Sequence, residues 1–175
     1  MTENDLPIVL AWRNCDRIRQ MMYTNHFISL EEHLNWFAKA SIRDNEKHLI
    51  FEYYDRPSGV VNVTDINRSH RRCNWGFYIG DEKAPRGSAT VMGTLALEFM
   101  FESVAINKIV GEVFAFNEAS LKYHLRLGFV EEGRLSQHIA RNGKFEDIIT
   151  LAHFADQWRA TKQALMAIFS QEVVA

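Results

Sequence analysis

From Asn74 to Phe116 the chain runs through a short strand pattern, a loop, a long apolar helix pattern and a second strand pattern. No other stretch limits the fold as much. Asn74-Trp75-Gly76-Phe77-Tyr78-Ile79 reads as a strand, Pro85, Arg86 and Gly87 open a helix expected over 88–104, and 108–116 reads as a strand again. A strand–helix–strand crossover set among strands joined by short turns implies a mixed α/β sheet.

The flanking segments fit that frame. Leu6, Val9, Leu10 and Trp12 fall at helical spacing in 5–19. Ser29-Leu30-Glu31-Glu32 reads as a capping box that starts a second helix, with Leu34, Trp36 and Phe37 along it to about 43. Strands are expected over 49–54 and 60–64, with a turn at Asp55-Arg56-Pro57-Ser58-Gly59 between them. Residues 117–127 form a short helix, and strands over 129–140 and 144–154 join through Asn142-Gly143, a strong two-residue hairpin signal. A last helix over 156–170 carries Trp158, Leu165, Met166 and Phe169. The expected order is α-α-β-β-β-α-β-α-β-β-α. It is read as one domain over 1–155, with residues 156–175 a helical extension packed on the same domain.

Composition excludes several classes. Twenty basic and 22 acidic residues are interspersed for a formal charge of −2, which gives no field for nucleic acid or an anionic membrane. The local run Arg68-Ser69-His70-Arg71-Arg72 reads as a solvated turn. Cys15 and Cys73 are the two cysteines, far apart and without Cys-x-x-Cys spacing, so neither a disulfide framework nor a metal site is expected. No two of the seven histidines stand at i, i+4, which also argues against a bound metal. The opening Thr2-Glu3-Asn4-Asp5 is unlike a signal peptide, and charge breaks every apolar run within a dozen residues. The expectation is a soluble cytoplasmic protein.

A loop that opens a long helix gathers unpaired amide hydrogens at the positive end of the helix dipole, a ready site for a diphosphate. Two stretches make this specific. Arg86-Gly87-Ser88-Ala89-Thr90-Val91 stands at the helix start, and Asn117-Glu118-Ala119-Ser120-Leu121-Lys122-Tyr123-His124-Leu125-Arg126-Leu127-Gly128-Phe129 follows the next strand. Together they resemble the coenzyme A half of the GNAT acetyltransferases, whose phosphate loop has the pattern Arg/Gln-x-x-Gly-x-Gly/Ala. Arg86 matches that pattern, whereas Ala89 and Val91 stand where it has small or glycine residues. The resemblance implies a single-domain acyl-CoA N-acyltransferase fold and acetyl-CoA as co-substrate. A strand that usually precedes the first helix is missing here.

The same resemblance implies roles for particular residues. Backbone groups of Phe77, Tyr78 and Ile79 would meet the pantetheine and the thioester oxygen, which gives Ile79 a catalytic part. Arg86, Gly87, Ser88, Ala89, Thr90 and Val91 would hold the diphosphate, and Asn117 and Ser120 the pantetheine. The family's proton-donating tyrosine falls on His124, with Tyr123 one place earlier. Asn117, Ser120 and His124 are spaced three and four and so share a helix face, with Tyr123 turned about 100° away. His124 is therefore the favoured general acid, with Tyr123 the alternative.

Trp12-Arg13-Asn14, Ser29-Leu30-Glu31-Glu32-His33, Val63-Thr64 and Trp75-Gly76-Phe77-Tyr78-Ile79 are similar to the acetyltransferases of pseudaminic acid biosynthesis. These act on the 4-amine of a UDP-linked 4-amino-4,6-dideoxy sugar. That similarity implies a nucleotide-sugar acceptor held by Arg13, His33, Thr64 and Tyr78. A guanidinium fork suits a diphosphate, and the other side chains suit sugar or base. Glu32 and Asp65 are candidate bases. Two further readings stay open. One is a ribosomal-type protein N-terminal acetyltransferase, which shares the Trp-Arg-Asn opening and Glu132-Gly133. The other is a non-catalytic acyl-CoA-binding module. Either a monomer or a homodimer is expected.

Overall fold

The computed structural model describes residues 1–172, with side chains to residue 167. The chain divides into two compact units, Met1–Ile66 with Trp75–Ala89, and Asn67–Asn74 with the chain from Thr90 onward.

In the first unit a 3-10 turn at Glu3–Asp5 leads into α1 (Leu6–Asn14), then α2 (Asp16–Arg19) and α3 (Leu30–Ala40). The expected first helix is two, because Cys15 is extended (φ −69°, ψ 141°) and breaks the hydrogen-bond ladder. Asn14 spans the loop that follows, giving its amide hydrogen to the Ile28 carbonyl and accepting from the Ile28 N–H, at 2.9 and 2.8 Å. Leu6, Val9 and Trp12 point inward, and Val9 and Trp12 pack with Ile18, Val60 and Tyr78. No strand precedes α1 among the described residues.

Helix α3 departs from its sequence pattern. Ser29 caps it through the Glu32 N–H at 3.1 Å, but the Glu32 carboxylate turns to His26 at 2.9 Å instead of closing the box. The buried stripe is His33 and Ala40, while Leu34 and Trp36 are exposed. An isolated amphipathic pattern cannot tell which apolar residues find a partner surface, and here a histidine takes the inward place.

Strands β1 (Lys47–Tyr53) and β2 (Arg56–Asn67) form an antiparallel hairpin, and β3 (Arg72–Ile79) completes the order β1-β2-β3 in this unit. The turn is shorter than expected. Tyr53 pairs with Arg56, leaving Tyr54 and Asp55 as a two-residue loop, both at positive φ (48° and 58°). The Pro57-Ser58 signal belongs instead to a bulge, where Phe51 faces Gly59 and Glu52 faces Pro57. The extra residue, Ser58, accepts at its carbonyl from the amides of Gly80 and Asp81, at 2.9 and 3.1 Å.

The second unit is built on β4 (Lys108–Phe114), β5 (Val130–Arg141) and β6 (Lys144–Phe154), in the order β4-β6-β5 and antiparallel throughout. Asn142 and Gly143 turn the β5–β6 hairpin with φ of 48° and 73°, as expected of Asn-Gly. Helix α4 (Ser88–Glu98) continues into a π-helical turn, Phe99–Ser103. Glu98 and Glu102 there receive Lys162 of α6 (Ala155–Glu172) at 2.6 and 2.9 Å, and Glu102 also accepts from the Trp158 indole. Trp158 and Leu165 are buried, Met166 is exposed, and the Phe169 side chain lies outside the described residues. No helix among the described residues is long and apolar enough to cross a membrane.

His153 sits fully enclosed in this unit, among the rings of Phe101, Phe129 and Trp158, with Nδ1 accepting the Phe154 N–H at 3.0 Å. Burial drives its pKa down to about 4, against weaker opposing effects of Gln157 and Asp156. A depressed histidine means that the unfolded chain binds the extra proton first. The melting temperature should therefore be level above about pH 6.5 and fall between there and about pH 4. Melting curves of the wild type and a His153→Leu variant check this: the variant should lose that part of the slope.

Candidate functional site

The first unit holds a cavity of about 220 Å³ lined by Arg13 and Val9 of α1, Thr24 and Ile28 of the following loop, Glu32, His33 and Trp36 of α3, Val60 and Asn62 of β2, Tyr78 of β3, and Met1. Three of the four residues expected to contact the acceptor thus share one wall: Arg13, His33 and Tyr78. Thr64 is not part of it, and the β2 positions that are, Val60 and Asn62, lie four and two residues earlier. Sequence does not single out Asn62, Thr24 and Trp36, whose only signals are alternation on a strand, a position in a loop and apolar spacing on a helix.

The cavity wall carries unmatched polarity. Arg13 Nη1 and His33 Nε2 are both buried without a hydrogen-bond partner. Burial pulls the Arg13 guanidinium below its ordinary pKa, while the Tyr78 phenol and Glu32 carboxylate oppose that shift. Burial likewise lowers His33, a hydrogen bond to the Leu6 backbone works against it, and the Arg13 charge adds to the lowering. His33 is therefore held as a neutral ring, and not as the polar surface residue its helix pattern allows. Tyr78 is pushed up by burial, so the phenol keeps its proton. With the ring neutral and one nitrogen donating to the Leu6 backbone, His33 Nε2 is an acceptor and Arg13 Nη1 a donor, and an unmet buried polar atom of either kind costs about 1–3 kcal/mol unless a ligand meets it. Of the candidate bases, Glu32 lines the cavity while bonded to His26, and Asp65 is exposed.

The end of β3 is tightly held. Tyr78 faces the core side, whereas Phe77 packs against Trp75 with ring centroids 4.7 Å apart. Arg17 of α2 donates to the carbonyls of Ile79 and Gly80, at 3.0 and 3.1 Å. The Ile79 carbonyl is thus engaged by a guanidinium. Gly80 is pressed against Trp12: a Cβ there would lie 2.0 Å from the indole.

The segment from Arg86 to Val91 opens α4 as expected. Gly87 takes φ +91°, a conformation glycine adopts without steric cost. Ser88 donates its N–H to the Pro85 carbonyl at 3.1 Å and is itself buried. Arg86 is exposed, and Ala89 and Val91 are half-buried. In α4, Thr90 is buried and accepts at its carbonyl from the Thr94 hydroxyl at 2.9 Å.

In the second unit α5 (Glu118–Arg126) does bring Asn117, Ser120 and His124 together. Asn117 caps the helix by accepting the Ser120 N–H at 3.1 Å. His124 Nδ1 donates to the Ser120 carbonyl at 2.8 Å, and its ring meets the edge of Phe129. Burial lowers the His124 pKa, only partly offset by that bond. The arrangement runs against the favoured role. A neutral imidazole whose Nδ1 proton is fixed on a carbonyl keeps a lone pair at Nε2 and has no proton there to give. Tyr123 is no better placed. Its hydroxyl lies against Gly93 of α4, where a Cβ would come within 2.3 Å, and burial raises its pKa. Among the described residues, no group of three or more His, Cys, Asp or Glu side chains could hold a metal ion.

Comparison with known proteins matches these features. Residues 1–130 fit the acetyltransferase (GNAT) domain family. Spermidine N(1)-acetyltransferase of Escherichia coli strain K12 is 28% identical over 160 residues, covering 91% of this chain and 86% of that protein. Acetyltransferase PseH of Campylobacter jejuni is 26% identical over 125 residues, covering 71% and 76%. The crystal structure of spermidine N-acetyltransferase from Vibrio cholerae in complex with CoA and spermine superposes with a TM-score of 0.84. It covers 90% of this chain and 94% of that one at 22% identity, and so shares the fold. With Gly87 opening α4, Asn117 capping α5 and the family matched over residues 1–130, the chain belongs to the GNAT acetyltransferases and is an N-acetyltransferase that uses acetyl-CoA to acetylate amines.

Proposed function

We propose that the acceptor is the primary amine of a nucleotide-linked 4-amino-4,6-dideoxy sugar of the pseudaminic acid type, a precursor of flagellin or surface glycan. The observation that carries this is the pair of buried, unpartnered nitrogens, Arg13 Nη1 and His33 Nε2, in the wall of the first-unit cavity. A cationic fork beside a neutral ring favours an acceptor rich in oxygen and negative charge. The cavity is smaller than the roughly 300 Å³ of an ordinary ligand pocket. It would take the amino sugar with the adjoining phosphate at Arg13 and leave the nucleoside outside.

In the reaction the neutral amine attacks the thioester carbonyl, the C–N bond forms, the positively charged nitrogen gives up one proton to water, the C–S bond breaks and coenzyme A leaves as thiolate. The N–H of Ile79 is the proposed donor to the developing oxyanion. A thiolate of ordinary pKa, about 8.5, can take its proton from solvent. His124 is then a packing and positioning residue of α5. His124→Phe should keep kcat within about tenfold of the wild type, since a general acid contributes about 10² or more. A larger loss in steady-state assays would return the acid role to the imidazole.

A second reading is polyamine acetylation, favoured by the relatives named spermidine N(1)-acetyltransferase and by Glu32 in the cavity wall. Thiol release from acetyl-CoA, measured with a UDP-4-amino-4,6-dideoxy sugar and with spermidine, separates the two. The sugar is expected to show at least about tenfold higher kcat/KM. A preference for spermidine would give the site to the polyamine.

A further inference from the structure

A string of polar side chains runs behind the cavity wall. His48 of β1 and Asn62 of β2 are directly paired across the hairpin, and His48 Nδ1 lies 2.7 Å from Asn62 Oδ1. The other ring nitrogen, Nε2, lies 3.2 Å from Glu46 Oε2, and Glu46 Oε1 accepts from Arg43 Nη1 at 2.7 Å. His48 is further fixed edge-on against Trp36, 4.9 Å between centroids, and Trp36 in turn stacks on His33 at 5.3 Å. Both Trp36 and His33 line the cavity, as Asn62 does.

Each ring nitrogen of His48 thus faces an oxygen. The side chains of His48 and Glu46 are 9% and 14% exposed, so the arrangement is shielded and rigid. Burial alone would raise the Glu46 carboxyl, but its hydrogen bonds to Arg43 and His48 outweigh this and hold it below the usual range. The consequence falls on Asn62. An asparagine amide carries one acceptor end and one donor end. Where His48 Nδ1 donates, Oδ1 is the accepting end of the amide and the two hydrogens of Nδ2 are the end that can serve the cavity Asn62 lines.

We propose that Asn62 binds the acceptor through its amide N–H groups, and that Glu46 and His48 are positioning residues that fix which end of the amide it presents. This rests on the reading of the cavity as the acceptor site. It makes Asn62 a selectivity element. Together with the Arg13 guanidinium, its N–H groups present donors to the oxygens of a sugar or phosphate, while the Glu32 carboxylate is the acidic group of the same lining. An aspartate at 62 reverses the donor part, placing acceptors and a negative charge on the same wall.

The test measures kcat, acceptor KM and acetyl-CoA KM on the intact enzyme, with the UDP-4-amino-4,6-dideoxy sugar and with spermidine. Asn62→Leu should raise the acceptor KM roughly three- to tenfold, the worth of one or two neutral hydrogen bonds, with acetyl-CoA KM unmoved. His48→Phe and Glu46→Gln should show the same split at smaller size. His48→Gln, whose amide can still donate to Asn62 Oδ1, should recover most of the loss. Asn62→Asp should shift the sugar-to-spermidine ratio of kcat/KM by at least about tenfold toward spermidine. The proposal is overturned if the wild type turns over the sugar while Asn62→Leu leaves its KM unchanged. It is equally overturned if every variant loses kcat, both KM values and melting temperature together. A wild type that acetylates spermidine and not the sugar removes the acceptor assignment alone. The same variants then decide on spermidine, where an unmoved KM in Asn62→Asp sinks the inference.

Discussion

Replacing Arg13 by glutamine should lower kcat/KM for the acceptor by about 10²-fold while leaving the acetyl-CoA KM within about twofold. A hydrogen bond to a charged group contributes about 1.5–3 kcal/mol, which sets that range. The loss should appear mainly in acceptor KM, because the guanidinium is proposed to hold the acceptor and not the reacting carbonyl. Lysine at 13 should recover little, since a point charge cannot reproduce the two-pronged geometry. Stability should move the other way. Arg13 Nη1 is buried without a partner, so its removal lifts a desolvation penalty, and the glutamine variant should melt no lower than the wild type. Steady-state kinetics and a thermal melt on one preparation check both halves. Unchanged acceptor kinetics would mean that the cavity does not receive the acceptor.

Gly80→Ala is expected to be the most damaging small substitution in the first unit. The added methyl would sit 2.0 Å from Trp12 Cδ2 and 2.4 Å from two further indole carbons. The ring cannot yield easily, being packed with Val9, Ile18, Val60 and Tyr78. Nor can the backbone, since the Gly80 N–H is bonded to Ser58 and its carbonyl to Arg17. Overpacking of this kind costs about 1–3 kcal/mol. In a chain of this length, 3 kcal/mol is roughly a 6–12 °C fall in melting temperature. Because Trp12 immediately precedes Arg13 on α1, acceptor KM should rise in the same variant. A melting temperature within about 1 °C of the wild type would show that the indole has room to turn.

These two residues illustrate what was legible from sequence. The element order came through almost whole, since Asn142-Gly143, the Ser29 cap and the apolar helix after Gly87 are local signals with local causes. Arg13, His33 and Tyr78 were named through resemblance, and the fold gathers them in one cavity wall. Sequence could not show that Gly80 is wedged against an indole, because the reason lies 68 positions away at Trp12. Asn62 escaped for the same reason: its orientation depends on a cross-strand partner and on Glu46 behind that partner. The helix keeps the face that spacing assigns to His124, but spacing cannot show that its Nδ1 donates a hydrogen bond to the Ser120 carbonyl.

The bulge in β2 bears on how this hairpin can vary. Ser58 is the supernumerary residue, and its single carbonyl anchors the two amides that follow β3. The tip at Tyr54 and Asp55 asks for residues that accept positive φ, so glycine or asparagine should be welcome there. Between Phe51 and Gly59, however, the count itself is fixed. A deletion there would draw the oxygen away from Gly80 and Asp81, and natural variants of this enzyme should tolerate new letters in that arm far more readily than a change in its length.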